Sequence, residues 1–202
     1  QFIALSSVKA IAGEYDSARL RVDHVPKPNS VYGEYKLAAE ELVRRHPANS
    51  CVSSFILRLP MVYSPNAIGN FALLRKMARW GLPLPVATNN RRSVLFAENL
   101  FGFIEQLLSQ VNAPGNVIVH LADEHALSTH DFFALIAAAE GVTGRSIVLS
   151  SAWAERLAGL PVIGGLATRL LGSLELDTVS TQRFGDWQLP FDTATGVAAA
   201  VR

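Results

Sequence analysis

The sequence predicts an α/β fold built on a parallel sheet. Three observations carry this. The runs Phe2 to Leu5, Val52 to Leu57 and Asn116 to Leu121 are short and largely apolar, as strands covered on both faces are. Stretches of helical length separate them, so strand and helix alternate along the chain. Half of the 202 residues are hydrophobic and only 17% are charged, which suits a large core and excludes a disordered chain.

Each element has its own justification. Ser6 and Ser7 end the first strand. A polar loop follows, and Pro26 and Pro28 keep it extended because the residue before a proline avoids the helical region. Asn29 or Ser30 can cap a helix running from Val31 to Arg45, with Val31, Tyr35, Ala38 and Leu42 as its apolar face. Glu40 with Arg44, and Glu41 with Arg45, have the i,i+4 spacing of helix-surface ion pairs. After the strand Val52 to Leu57 and Pro60 comes a loop with Pro65 and Gly69. The next helix, Phe71 to Trp80, stops at Gly81 and Pro83. Val94 to Leu108 reads as a second long helix. The strand Asn116 to Leu121 follows Gly115. Thr129 reads as the cap of a helix from His130 to Glu140, and Ser146 to Leu149 as a last strand.

Composition narrows the function classes. There are 18 Lys and Arg against 17 Asp and Glu, a net charge of +1, so no electrostatic footprint for nucleic acid is present. Cys51 is the only cysteine, which excludes an intrachain disulfide and a cysteine-based metal site. Mean hydropathy is positive, +0.23. Yet the most apolar tract, Ala158 to Thr168 and on to Leu171, contains Pro161, Gly164, Gly165 and Arg169 and falls short of the roughly 20 apolar residues a spanning helix needs. It reads as a buried or lid-like segment, and a cytoplasmic protein without a membrane span is expected. His120, His125 and His130 recur every five residues, a spacing that shares no helical face and matches no metal motif, so surface or cap positions are expected for them and no metal. A hydrolytic set of Ser128, His125 and Asp123 can be drawn, but no nucleophile-elbow context supports it.

The chemistry points to Tyr32-Gly33-Glu34-Tyr35-Lys36. On a helix Tyr32 and Lys36 lie one turn apart on one face. A phenol ordinarily ionises near pH ~10, and a neighbouring ammonium favours its phenolate. Such a tyrosine can take a hydroxyl proton as hydride leaves the same carbon. The spacing alone is weak, since chance supplies it in about a tenth of chains with four tyrosines and four lysines. Ser7 adds context: it lies just past a parallel strand, where open α/β sheets bind their ligands.

The ordered segments Phe2-Ile3-Ala4-Leu5-Ser6-Ser7, Pro26-Lys27-Pro28-Asn29-Ser30-Val31-Tyr32-Gly33-Glu34-Tyr35-Lys36 and Leu57-Arg58-Leu59-Pro60-Met61-Val62-Tyr63-Ser64-Pro65 resemble the extended short-chain dehydrogenase/reductase family. Gly69-Asn70-Phe71, Asn90-Arg91-Arg92-Ser93, Glu98-Asn99-Leu100 and Leu174-Glu175-Leu176-Asp177 continue the likeness over nearly the whole chain. The resemblance implies the C-terminal part of a Rossmann-like doubly wound parallel sheet with a smaller α/β substrate-binding domain. Residues 1–60 with 94–122 would form the first, and 61–93 with 123–202 the second. It implies Tyr32 as acid and base, Lys36 on the nicotinamide ribose, and Ser7 on the reacting sugar oxygen. Pro60 would line the nicotinamide pocket. Asn70 and Arg92, with Arg169 as a weaker candidate, would hold the diphosphate of a UDP-sugar; Asn70 could equally cap its helix. The cofactor would be NAD or NADP, and a homodimer would form through the Tyr32 helix and the Val94 helix. Trp187 would pack the small domain.

Two departures refine this. Sugar 4,6-dehydratases of the family carry Asp-Glu after the catalytic hydroxyl residue, where this chain has Val8 and Lys9. The pattern Ser6-Ser7-Val8-Lys9 is similar to bacterial 4-epimerases and 4-keto-sugar reductases that supply surface polysaccharide. No Gly-x-x-Gly-x-x-Gly loop occurs in the chain. The expectation is therefore a C-terminal fragment that, alone, neither holds NAD tightly nor turns over. The rival reading is a non-catalytic nucleotide- or partner-binding protein on the same fold.

Overall fold

A computed structural model describes residues 1–13, 19–45, 53–87, 90–109, 116–150, 153, 156, 171–184 and 187–202. Three parallel strands, β1 (Phe2–Ser7), β2 (Ser54–Leu59) and β6 (Asn116–His120), form one sheet in the order β1-β2-β6. The expected α/β class with a parallel sheet is what the chain adopts. Two further parallel pairs complete it: β3 (Met61–Tyr63) with β5 (Val94–Phe96), and β4 (Leu84–Ala87) with β7 (Ser146–Leu149). The helices are α1 (Val31–Arg45), α2 (Asn70–Arg79), α3 (Ala97–Ser109), α4 (Thr129–Ala139) and α5 (Thr193–Val201).

Strand β2 is buried along its whole length, and its side chains alternate between two layers. Phe55, Leu57 and Leu59 pack with Leu100, Phe103 and Leu107 of α3. Arg58, on the other face, meets Glu40 of α1. Helices α1 and α3 thus cover opposite faces of the sheet. Strand β1 lies at its edge, with Phe2 50% and Leu5 48% exposed.

A second core surrounds Tyr63 and joins α2, α4 and α5 through Phe71, Leu74, Phe132, Phe133, Ile136 and Val197. Arg75 of α2 secures it. Its guanidinium donates to Glu140 at 2.8 Å and to the carbonyls of Pro65, Ala200 and Val201, so a cation sits on the last turn of α5.

Several elements differ from the sequence expectation. Val94 to Leu108 is not one helix: Val94, Leu95 and Phe96 form β5 before α3 begins. All three are fully covered, and a buried apolar run of that length carries no periodicity to tell strand from helix. The cap of α4 is Ser128 rather than Thr129; its hydroxyl accepts from Asp131 N and donates to the Asp131 carboxylate. Strands β3 and β4 were not expected: both are short, β3 follows Pro60 directly and β4 contains Pro85. Trp187 packs edge-on against Phe103 of α3, 5.4 Å between centroids, and so belongs with the larger sheet rather than the small domain. The tract Ala158 to Thr168, Arg169 and Cys51 lie outside the described residues.

Candidate active site

Helix α1 starts where the sequence places it. The Ser30 hydroxyl accepts from Gly33 N at 3.1 Å, the N-cap expected from its residue type. Its orientation is the reverse of the expected one. Val31, Tyr35 and Leu42 are 66%, 73% and 70% exposed, while Gly33 and Glu40 are the buried positions. Gly33 is there because a backbone lies against it: a Cβ at this position would stand 2.2 Å from the Lys9 carbonyl oxygen. The helix therefore docks directly on the short 3-10 turn Val8–Ala10 that follows β1.

That docking brings Lys36, with Tyr32 beside it, against the strand that ends in Ser7. Ser7 ends β1, and its hydroxyl accepts from Lys9 N at 3.2 Å. The Lys36 ammonium donates to the Leu5 carbonyl at 3.0 Å and lies 5.7 Å from the centre of the Tyr32 ring. Tyr32 is half exposed. The ammonium thus sits near the carboxyl end of β1, the strand that Ser7 closes and the ligand-binding side of an open α/β sheet, with the Tyr32 ring beside it.

Pro60 stands where the chain leaves β2 for β3, beside that edge. Immediately beyond it lies a small, largely apolar cavity of about 20 Å³, lined by Met61, Asn70, Arg92, Leu127, Ser128 and Phe132 among others. Asn70 is the first residue of α2 and makes no cap; the cap position is Gly69, whose φ of 82° suits a residue without a Cβ. Arg92 is held by backbone pairing with Leu127 and by its own Nη1, which donates to the Gly172 carbonyl at 2.9 Å. Sequence-expected Asn70 and Arg92 thus line one cavity. Arg91 instead lies beside Glu175 at 3.6 Å, largely in solvent.

Three buried polar groups were not anticipated. Glu40 does not pair with Arg44. It takes a bidentate ion pair from Arg58 at 2.7–3.1 Å and accepts from the Ser6 hydroxyl. Glu41 and Arg45 do pair, at 3.6 Å. Asp123, beyond β6, accepts from Tyr63 Oη at 2.7 Å, Asn99 Nδ2 at 2.9 Å, Phe96 N at 3.1 Å and Thr193 Oγ1 at 3.3 Å. Burial raises its carboxyl above the usual range despite these donors, and the same burial together with Asp123 keeps Tyr63 protonated as a donor. With Asp123 so engaged, Ser128 capping α4 and His125 exposed beside Glu124, no hydrolytic set assembles.

His120 is fully buried, contrary to the surface position expected, and its Nδ1 lies 3.2 Å from the Leu20 carbonyl. Burial, then the positive charge of Arg58, push it down to about 4 from 6.5. A histidine depressed in the fold stabilises it above the unfolded value and costs stability as pH falls below 6.5 towards 4. Denaturation midpoints should therefore drop over that window, by an amount on the order of a few kcal/mol. His120→Asn keeps a donor for Leu20 and should flatten this part of the profile. Asp123 works in the opposite direction, since a raised carboxyl favours the fold as it protonates. An unchanged slope in His120→Asn would assign the acid sensitivity elsewhere.

Among the described residues no group of His, Cys, Asp and Glu could hold a metal ion, and no helix is long and apolar enough to cross a membrane.

A family profile described as the RmlD substrate binding domain matches residues 1–158. A UDP-glucose 4-epimerase from Vibrio cholerae is 27% identical over 194 residues, 94% of this chain and 58% of that protein. Among solved structures, a UDP-N-acetylglucosamine 4-epimerase from Bacillus cereus superposes with a TM-score of 0.74 at 19% identity, over 98% of this chain and 63% of that one. RMD from Pseudomonas aeruginosa, complexed with NADPH, gives 0.70 at 17% identity, over 99% of this chain and 64% of that one. The chain spans about three fifths of the length of these proteins.

Proposed function

The chain belongs to the RmlD substrate binding domain family, and from that premise we propose that it carries the catalytic half of an NAD(P)-dependent nucleotide-sugar 4-epimerase or 4-keto-sugar reductase. The observation that supports the reading is that Lys36 bonds the Leu5 carbonyl, two residues before Ser7 closes β1, and lies 5.7 Å from the centre of the Tyr32 ring. The curated relative is named as a UDP-glucose 4-epimerase, and one of the solved neighbours, a UDP-glucuronic acid 4-epimerase from Bacillus cereus, is a complex with NAD. The most economical substrate class is therefore a UDP-sugar, supplied for surface polysaccharide in the cytoplasm.

The division of labour proposed here is the one the family resemblance implies. Tyr32 takes the proton of the C4 hydroxyl and returns it. Lys36, anchored on the Leu5 carbonyl, favours the phenolate and hydrogen-bonds the cofactor ribose. Ser7 holds the sugar oxygen opposite Tyr32, and Pro60 walls the nicotinamide side. Asn70 and Arg92, which line the small cavity beyond β2, would bind the diphosphate at its mouth, since a planar guanidinium suits phosphate oxygens. Bound NAD or NADP supplies a hydride acceptor and donor. Half-exposed Tyr32 and the open edge at β1 fit such a group, while no glycine-rich pyrophosphate loop is present in this sequence. Residues 1–60 with 94–122 would form the cofactor side and 61–93 with 123–202 the sugar side. The exposed stripe Val31, Tyr35 and Leu42 would seat a second copy. Because α1 and α3 lie on opposite faces, α1 alone would serve.

The test uses the whole protein from its natural coding sequence, assayed with UDP-sugars and NAD(P). Tyr32→Phe should lower turnover about a hundredfold or more while cofactor binding persists. Undiminished turnover would favour a binding protein on the same fold. The 202-residue chain by itself should show no saturable micromolar NAD binding.

A further inference from the structure

Helix α1 carries the proposed chemistry but has little apolar anchorage. Its fully buried residues are Gly33 and Glu40; Leu37 and Val43 are half-buried, and Val31, Tyr35 and Leu42 face outward. Apolar contact alone would leave such a helix free to roll or slide on the sheet. The close approach of Gly33 to the Lys9 carbonyl sets how near the helix can come, and the contacts that give it direction are polar. Arg58 and Glu40 are each 2% exposed. Arg58 Nε donates to both Glu40 oxygens at 3.0 and 3.1 Å, and Nη2 donates to Oε2 at 2.7 Å. Arg58 Nη1 donates to the Val22 carbonyl at 3.2 Å, and the Ser6 hydroxyl donates to Glu40 Oε1.

The positions matter as much as the bonds. Glu40 is one turn beyond Lys36 and two beyond Tyr32, on the same side of the helix. Ser6 is the residue before Ser7, and it is the register partner of Arg58 across β1 and β2. One buried unit therefore grips the helix that bears Tyr32 and Lys36 and the strand that ends in Ser7. We propose that Ser6, Glu40 and Arg58 are positioning residues that fix the roll and depth of α1, and thereby the distance between Tyr32, Lys36 and Ser7. The proposal rests on the reading of those three residues as the catalytic set. Stability alone does not account for the unit, because a buried ion pair is often replaceable by apolar residues of similar volume without loss. A fixed geometry is what apolar residues would not reproduce.

The experiment compares three forms of the whole protein: wild type, S6A/E40L/R58M and Tyr32→Phe. The triple variant removes all three polar partners at once, so no charge is stranded. The expected result is a denaturation midpoint and a KM for the nucleotide sugar close to wild type, with kcat at least tenfold lower. A folded triple variant with kcat within twofold of wild type overturns the proposal if Tyr32→Phe is inactive. Full turnover in Tyr32→Phe removes the reading beneath it, and the proposal with it. Should the triple variant not fold, Arg58→Lys carries the test. It keeps the charge and loses the planar fork. A severalfold lower kcat at unchanged KM supports positioning, and an unchanged kcat overturns it.

Discussion

Glu40→Leu alone is expected to cost about 3–5 kcal/mol of folding stability, because it strands a charge without its counter-ion. The Arg58 guanidinium is 2% exposed and spends three of its contacts on Glu40. Leucine offers it none of them. Among the described residues its remaining acceptor is the Val22 carbonyl. Ser6 loses its acceptor as well. Domains of this size are stable by roughly 5–15 kcal/mol, so a loss of this size should be plain in urea or thermal unfolding. Adding Arg58→Met should recover most of it, since the unpaired charge is then gone. If Glu40→Leu shifts the midpoint by less than about 1 kcal/mol, the pair is not buried as described.

Gly33→Ala is the second large effect, and it links stability to chemistry. The new Cβ would lie 2.2 Å from the Lys9 carbonyl oxygen and 3.1 Å from Pro28 Cβ. The first obstacle is backbone, so no rotamer change relieves it. Helix α1 must lift from the turn after β1 by about an ångström or more to reach ordinary contact. Overpacking of this kind costs typically about 1–3 kcal/mol and here should sit at or above the upper end. The same lift carries Tyr32 and Lys36 away from Ser7. A misplacement of about 1 Å at a reacting centre can cost about a hundredfold in rate. Turnover of the whole protein should therefore fall at least that much, with Lys36 losing its bond to the Leu5 carbonyl. Alanine ordinarily favours a helix over glycine by about 1 kcal/mol. A stabilised, fully active Gly33→Ala would thus contradict the close approach of helix and turn.

The sequence by itself determined the fold class and most of the elements, and it nominated the residues of the candidate site. The parallel strands announce themselves as short apolar runs, and Ser30 caps α1 through chemistry local to one turn. Tyr32, Lys36 and Ser7 were legible from spacing along a helix and position after a strand. Asn70 and Arg92 came from resemblance, and the cavity they share follows from the chain turning off β2 at Pro60.

Only the tertiary structure decided which way α1 faces. Periodicity marked Val31, Tyr35, Ala38 and Leu42 as its inner side and Glu40 as a surface partner of Arg44, yet Glu40 is buried and the apolar stripe is outside. The physical reason is that helical periodicity records which residues share a face, not what that face meets. A carboxylate enters a core only where donors wait for it, and the chief donor to Glu40, Arg58, lies 18 positions away on strand β2. The same holds for Asp123, whose donors come from Tyr63, Phe96, Asn99 and Thr193, and for His120, buried by chain from Leu20 and Asp177. Local chemistry writes elements and caps. Buried charge is settled by partners that folding alone brings together.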